Sequence, residues 1–191
     1  PSTLSGKYLS GRHAQAEKDM SSATRFFTQA LNMDPDAPGL LRRTFVIMIA
    51  EGRMEEAATL ADDVLAKSPE SSIAGLMVIV NDITNNRLQQ ARDRVAAMPE
   101  GGPNTIMGPL FDAWAILGLD QPVNQALASL KSLDKKGSQP LYNLHAGLLN
   151  EVSGDIAAAE TAFLANIGRN GVLSLRLVQL LGNLYERQGD K

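Results

Sequence analysis

Cysteine is absent from this 191-residue chain, and its absence excludes disulfide bonds and thiol catalysis. Histidine occurs only twice, at His13 and His145, so we expect no zinc site built from His and Cys ligands. No apolar run reaches the ~18 residues that a membrane-spanning helix needs. The sequence therefore predicts no metal, no cofactor and no transmembrane segment.

An excess of basic residues is also missing. The 18 Lys and Arg residues are outnumbered by 21 Asp and Glu residues, which gives a formal net charge of −3. Nucleic-acid-binding domains instead concentrate Lys and Arg and have a high pI, so we expect no nucleic-acid partner. The lack of cysteine is compatible with an exported or periplasmic bacterial protein and with a cytoplasmic one, and the compartment stays open.

What the sequence does contain is a repeat. The interval from Pro35 to Pro69 is about 34 residues, and short breaks between helical stretches recur at a similar interval. Most of the residues at these breaks are Gly or Asn, which tolerate the positive φ that ends a helix. The predicted turn positions are Lys18, Gly52, Asn86, Gly118, Gly154 and Gly189.

A small residue follows each predicted turn, and a larger apolar residue usually comes four positions later on the same helix face. The small residues are Ala23, Ala57, Ala91, Ala126 and Ala159, and the larger ones are Phe27, Val95, Leu130 and Phe163. We predict that Ala23, Ala57, Ala91 and Ala159 are buried where two helices approach closely. No alternating pattern typical of strands accompanies them, so an all-α fold is expected.

These residues resemble the tetratricopeptide repeat, a helix-turn-helix unit of about 34 residues. Residues 181–189, "LGNLYERQG", match the Leu-Gly, Tyr and Gly positions of its first helix. The resemblance implies a right-handed superhelical solenoid over residues 1–191, with about five repeats and the first helix of a sixth. The repeat positions that carry it are Gly11, Ala23, Phe27, Ala30 and Pro35 in repeat one, Gly52, Ala57 and Pro69 in repeat two, and Gly147, Gly154, Ala159 and Phe163 in repeat five.

The last of these helices has an apolar row that suits an array continuing beyond it. The 177–185 segment carries Leu177, Val178, Leu180, Leu181, Leu184 and Tyr185, whereas the ends of repeat arrays have polar outer faces. We therefore expect the chain to be part of a longer protein, with this row exposed or covered by a second molecule. Self-association through the terminal helix is one possibility that follows.

No arrangement of side chains suggests catalysis. His13 and Glu17 are four apart on a predicted helix, where a surface pair is the simpler interpretation, and His145 has no Ser and Asp in a recognisable arrangement. Adjacent carboxylates such as Asp62 and Asp63 diverge by about 100° on a helix and do not converge on a substrate. Trp114 is interpreted as a packing residue, with a binding anchor as the alternative. The sequence predicts that the protein is not an enzyme.

Two predicted first helices, around residues 40–50 and 73–83, are apolar on almost every face, and such helices are normally buried all round. In the resembling family the first helices line a concave groove, and apolar segments there indicate a covered binding surface. The implied groove positions are Tyr8, Arg12 and Gln15, then Arg42, Val46 and Ile49, then Leu76, Val80 and Ile83, and finally Leu144, Leu148 and Glu151. The alternative is a different helix phase, in which these side chains are core.

Two functional hypotheses follow. The first is a non-catalytic scaffold that binds an apolar peptide or helix of a protein partner in the groove. The groove residues expected to contact it are Arg12, Arg42, Val46, Ile49, Leu76, Val80, Ile83, Leu144 and Leu148. The second is a regulatory or targeting domain of a larger enzyme or envelope assembly, with the groove covered by its own chain.

Overall fold

The computed structural model describes residues 2–135, 137–170 and 174–189, and within these ranges the chain is helical with connecting turns and no β-strand. This confirms the predicted all-α class. The chain divides into two compact units, residues 1–81 and 82–191.

The N-terminal unit is built from antiparallel helix pairs around one core. Its helices are α1 (Leu4–Ala16), α2 (Met20–Leu31), α3 (Pro38–Glu51), α4 (Met54–Lys67) and all but the last three residues of α5 (Ser72–Thr84). Thr3 and Asp19 cap α1 and α2 by accepting from the Gly6 and Ser22 amides at 3.1 and 2.9 Å. Phe27, Phe45 and Val78 meet in the buried cluster that joins α2 to α5.

The C-terminal unit repeats the pairing with two shorter second helices. Its helices after α5 are α6 (Leu88–Ala96), α7 (Asn104–Gly118), α8 (Val123–Leu130) with a 3₁₀ turn (Lys131–Leu133), α9 (Gln139–Val152), α10 (Ile156–Asn170) and α11 (Leu175–Gln188). One buried cluster joins α7, α8 and α9 around Ile116, Leu130 and Leu149. A second joins α10 and α11 around Phe163 and Leu184.

The turns that follow the first helices recur with the predicted period, with one correction. The prediction of Gly118 as the fourth turn was wrong, because Gly118 is the last residue of α7 and the positive φ occurs at Asp120. A Cβ at Gly118 would lie 2.6 Å from Leu88 Cδ1, so this glycine permits close packing of α7 on α6. The residues with positive φ at these turns are Lys18, Gly52, Asn86, Asp120, Gly154 and Gly189, and their spacing is more regular than the sequence predicted.

The recurring alanines are buried as predicted. Ala23, Ala57, Ala126 and Ala159 have no exposed surface, and Ala91 is 1% exposed. The ring of Phe27 lies against Gly11, and the ring of Phe163 lies against Gly147 in the same way. These two glycines thus allow the first helix of a pair to pack directly against an aromatic ring of the second helix.

The expectation that the apolar row of the last helix is exposed or covered by a second molecule was wrong for three of its six residues, whereas Val178 is 47% exposed. Leu177, Leu181 and Leu184 are buried, and Leu180 is half-buried. They pack with Ala159 and Phe163 of α10 in the last apolar cluster. A first helix therefore also packs on the second helix of the preceding pair, which the apolar row of one segment does not reveal.

Candidate functional site

The predicted groove residues of the N-terminal unit lie on its first helices. Arg12, Val46 and Val80 occupy the same repeat position on α1, α3 and α5. Arg42 and Leu76 form a second such row on α3 and α5. We name this set of six residues, which also includes Ile49, the first-helix surface.

The two valines of the first-helix surface face solvent. Val46 is 45% exposed and Val80 is 40% exposed, although both helices are otherwise rich in buried apolar residues. Ile49 and Leu76 are half-buried, and Ile49 packs against the core cluster. Val46 and Val80 are therefore not core residues, and this part of the unit presents apolar side chains to water.

A small cavity adjoins Val46. Its volume is about 370 Å³, and it is lined by Gln15, Gly39, Arg42, Arg43 and Val46. Arg43 donates from NH1 to Gln15 Oε1 at 3.2 Å, which fixes its guanidinium at the edge of the cavity. The first-helix surface thus combines an apolar row with a recess whose charged groups are guanidiniums.

Aromatic rings hold part of this positive charge in place. The Arg43 guanidinium lies 5.8 Å from the ring centroids of both Tyr8 and Phe27. Arg12 NH1 donates to Tyr8 Oη at 3.5 Å, and this hydrogen bond, with the nearby arginine charges, lowers the pKa of Tyr8. Among the described residues, Arg12, Arg42 and Arg43 have no carboxylate ion-pair partner.

The predicted groove residues of the C-terminal unit are more enclosed. Ile83, Leu144 and Leu148 are half-buried, and the two leucines pack against the cluster of α10 and α11. Glu151 forms an ion pair with Arg187 of α11. In this unit the predicted positions serve largely to hold helices together.

Sequence reasoning assigned no groove residue in repeat four, and the corrected turn at Asp120 supplies one. Trp114 on α7 lies one repeat after Val80 and one repeat before Leu148, so it occupies the same repeat position. It is half-buried and packs against the core, as predicted, and its Nε1 donates to His145 Nδ1 at 3.0 Å. Burial of the imidazole, with a smaller contribution from the charge of Arg176, lowers the pKa of His145.

Neither the described side chains nor the described helices point to other chemistry. His13 and Glu17 are both exposed on the surface of the first helix pair. Within the described ranges, no three His, Asp or Glu residues are grouped so that they could hold a metal ion. None of the helices in these ranges has the length and hydropathy that crossing a membrane requires.

Comparison with known proteins places the chain among helical-repeat folds. Residues 14–78 match the family model of the tetratricopeptide repeat. No curated protein matches the chain. The chain resembles tetratricopeptide-repeat proteins, and its fold is that of their helical solenoids.

Several solved structures have this fold at low sequence identity. PilW, a type IV pilus biogenesis factor, is 17% identical, with 100% of this chain and 88% of that chain covered and a TM-score of 0.68. A tetratricopeptide-repeat protein from Parabacteroides merdae is 14% identical, with 98% and 74% covered and a TM-score of 0.75. MamA from Desulfovibrio magneticus RS-1 is 15% identical, with 100% and 99% covered and a TM-score of 0.65.

Proposed function

We propose that this protein is a non-catalytic interaction scaffold that binds an apolar peptide or helix of a protein partner on the first-helix surface. The observation that carries the proposal is the solvent exposure of Val46 and Val80 on helices that also contribute buried apolar residues to the core. Burial of an apolar side chain of this size recovers roughly 1.5–3 kcal/mol. A partner that covers both valines therefore gains free energy that the isolated chain does not.

The charges beside the apolar row favour a partner with acidic residues at one end. Arg12, Arg42 and Arg43 lie at or near the 370 Å³ cavity without a carboxylate partner among the described residues. Charge complementarity of this kind sets orientation and increases the association rate more than it increases affinity. We therefore propose an apolar segment flanked by Asp or Glu as the ligand.

Fluorescence anisotropy with two labelled peptides tests this function. One is an apolar helix of Leu and Ala with three Glu residues at one end. The other has the same helix with three Lys residues in their place. We expect the acidic peptide to bind more tightly, with an advantage that shrinks as salt rises. Replacing Val46 and Val80 together by Asp should weaken its binding at least about tenfold, since the new carboxylates repel the peptide and remove the apolar contact.

A matched variant controls for the loss of exposed valines and the gain of negative charge. Val152 and Val178 are 66% and 47% exposed in the C-terminal unit, and their double replacement by Asp should leave peptide binding unchanged. Circular dichroism should show equal helicity in both double variants. Equal binding by the two variants, or collapse of the Val46→Asp, Val80→Asp fold, would overturn the proposal.

A second candidate function is a targeting or regulatory repeat domain of an envelope assembly, with the first-helix surface covered by its own chain. The fold shared with PilW, a pilus biogenesis factor, is the observation that favours it. In this case, neither peptide binds to the protein in its full native length, and hydrogen exchange of residues 42–49 is slow there. Binding of the acidic peptide to the full-length protein would contradict this candidate.

A further inference from the structure

A second cavity lies in the C-terminal unit, and it shares no lining residue with the first-helix surface. Its volume is about 750 Å³, and it is lined by α6, the 97–103 link, α7 and the end of α8. The second helices α6 and α8 have only nine and eight residues, whereas α2 and α4 have 12 and 14. Both short helices end at this cavity, which has the size of typical ligand sites.

Asp112 in the wall of this cavity already has a cationic partner. Asp112 accepts from Arg92 Nε at 2.7 Å and also from the hydroxyl of Ser129. Arg92 NH1 in addition donates to Gln121 Oε1 at 3.3 Å. The positive charge of Arg92 is therefore engaged within the wall and does not offset the other lining carboxylates.

Those other carboxylates leave the cavity with two negative charges. The carboxylate of Asp93 accepts from Gln89 Nε2 at 2.9 Å, and this is its one side-chain hydrogen bond among the described residues. Glu100 forms no ion pair within the same ranges. Both side chains are exposed, so a cation can reach them.

Two residues that line this cavity each have an acceptor that lacks a donor. Asn104 is 8% exposed, and its Nδ2 donates to the carbonyl of Pro99 at 2.8 Å. Its Oδ1 is buried and has no donor among the described residues, which is unfavourable for a buried oxygen. Pro109 inside α7 has no N–H, so the carbonyl of Thr105 four residues earlier lacks its helical donor. Each of these four residues lines the cavity.

We propose that this cavity is a second binding site, which receives a lysine or arginine side chain from an extended segment of a partner protein. Asp93 and Glu100 leave the cavity with an excess of negative charge, and an ammonium or guanidinium supplies the opposite charge together with hydrogen-bond donors. Val95, Met98 and Pro109 offer an apolar wall for the aliphatic stem of such a side chain. The site is independent of the first-helix surface, so either proposal can fail without the other.

Amide chemical-shift titration of the whole protein tests the site with defined probes. The first is the peptide acetyl-Gly-Ser-Lys-Ser-Gly-amide, and the second has norleucine, which is uncharged, in place of lysine. We expect saturable shifts confined to residues 89–112 and 129–133 with the lysine peptide, and at least tenfold weaker binding of the norleucine peptide. Equal binding of the two peptides, or shifts spread over the whole surface, would overturn the proposal.

Two variants with the same change in charge locate the binding. Asp93→Asn with Glu100→Gln should weaken binding of the lysine peptide at least fivefold, with greater weakening at low salt. Glu55→Gln with Asp63→Asn removes two exposed carboxylates from α4 and should leave the affinity unchanged. Equal weakening by both variants would mean attraction to the overall charge only, and the site assignment would be wrong.

A third probe distinguishes a protein segment from a free amine. Butylammonium carries the same charge and stem as lysine without a peptide backbone. If the flanking residues of a partner contribute, the lysine peptide binds at least several times more tightly than butylammonium. Equal affinities would identify the ligand as a small amine and would overturn the assignment to a protein partner.

Discussion

Two glycines decide how closely the first and second helices approach each other in repeats one and five. Gly11 and Gly147 occupy the same position of repeats one and five, and each lies under an aromatic ring on the next helix. A Cβ at Gly11 would lie 2.8 Å from Phe27 Cε1, and a Cβ at Gly147 would approach Phe163 even more closely. The rings are fully buried, so they cannot move aside into solvent.

Replacement of Gly147 by Ala should therefore destabilise the protein. Overpacking of a core costs about 1–3 kcal/mol, which exceeds the ~1 kcal/mol that Ala gains over Gly in helix propensity. Gly182 lies in the interior of α11 with no atom within 4 Å of the place a Cβ would take, so Gly182→Ala should stabilise by roughly 0.5–1 kcal/mol. Urea unfolding measures both, and a stabilised Gly147→Ala variant would show that Phe163 has room to shift.

The hydrogen bond between Trp114 and His145 predicts a pH effect. His145 Nδ1 accepts this bond only while it is unprotonated, and burial lowers the pKa of His145 below the ordinary 6.5. The folded state thus binds a proton less readily than the unfolded chain. The stability that the neutral ring contributes is present above the unfolded pKa and is lost as the pH falls from about 6.5 towards the folded pKa.

Trp114 is the only tryptophan, so its fluorescence reports on this bond directly. We expect urea midpoints to fall between pH 7.5 and 5.0, and this fall should be smaller in His145→Gln, which cannot titrate. The exposed His13 provides a matched substitution, and the pH dependence should be reduced more in His145→Gln than in His13→Gln. An unchanged pH dependence in His145→Gln would contradict the assignment.

At the level of the elements, the turns that follow the first helices share a left-handed backbone conformation with different residues. Gly52, Gly154 and Gly189 have φ values of 81°, 88° and 78°, whereas Lys18, Asn86 and Asp120 have values of 62°, 58° and 55°. A left-handed conformation costs an ordinary L-residue roughly 1–2 kcal/mol, while Gly adopts it readily. Lys18 is the residue in this set with the least suitable side chain.

Replacement of Lys18 by Gly should raise stability by a few tenths to about 1 kcal/mol, because relief of this strain exceeds the added entropy of the unfolded chain. The reverse exchange, Gly52→Lys, should lower stability by about 1 kcal/mol. No atom lies within 4 Å of a Cβ added at Gly52, so its backbone conformation alone would account for that cost. Thermal melts of both variants measure these changes in stability. A change of the same sign in both would contradict the predicted cost of the left-handed conformation for Lys.

At the scale of the whole molecule, each apolar cluster of the described residues lies within one of the two units. In repeat proteins each unit contacts its sequence neighbours, so stability is approximately a sum of local terms. Here the N-terminal unit has its own core cluster, and the C-terminal unit has two others. Destabilisation of one cluster should therefore be felt first in the unit that contains it.

Ala57→Leu and Ala159→Leu test this locality at equivalent repeat positions. Both alanines have no exposed surface, and overpacking costs about 1–3 kcal/mol at either site. We expect hydrogen exchange to accelerate mainly in residues 1–81 for Ala57→Leu and mainly in residues 82–191 for Ala159→Leu. The same uniform acceleration over the whole chain in both variants would mean that the molecule unfolds as one cooperative unit.

The sequence alone determined the helical class, the period and the buried alanines. Ala23, Ala57 and Ala159 recur because one repeat position always meets a neighbouring helix, and recurrence at a fixed interval is visible without coordinates. The same interval places Arg12 and Val46 at equivalent positions of repeats one and two. Local chemistry and periodicity suffice for such features, because they depend on helix geometry more than on the particular neighbours.

Only the tertiary structure decided which residues the neighbours cover. The sequence predicts Gly118 as a turn, whereas in the structure Gly118 packs closely on Leu88 and the positive φ occurs at Asp120. From the sequence alone, Leu177 and Leu184 have no evident packing partner, but in the structure they pack with residues of α10 and are buried. The valines of the first-helix surface are exposed in the structure. The cavity beside α6 and α8 likewise depends on where two helices end in space. Burial is a property of pairs of segments distant in sequence, and periodicity within one segment does not specify it.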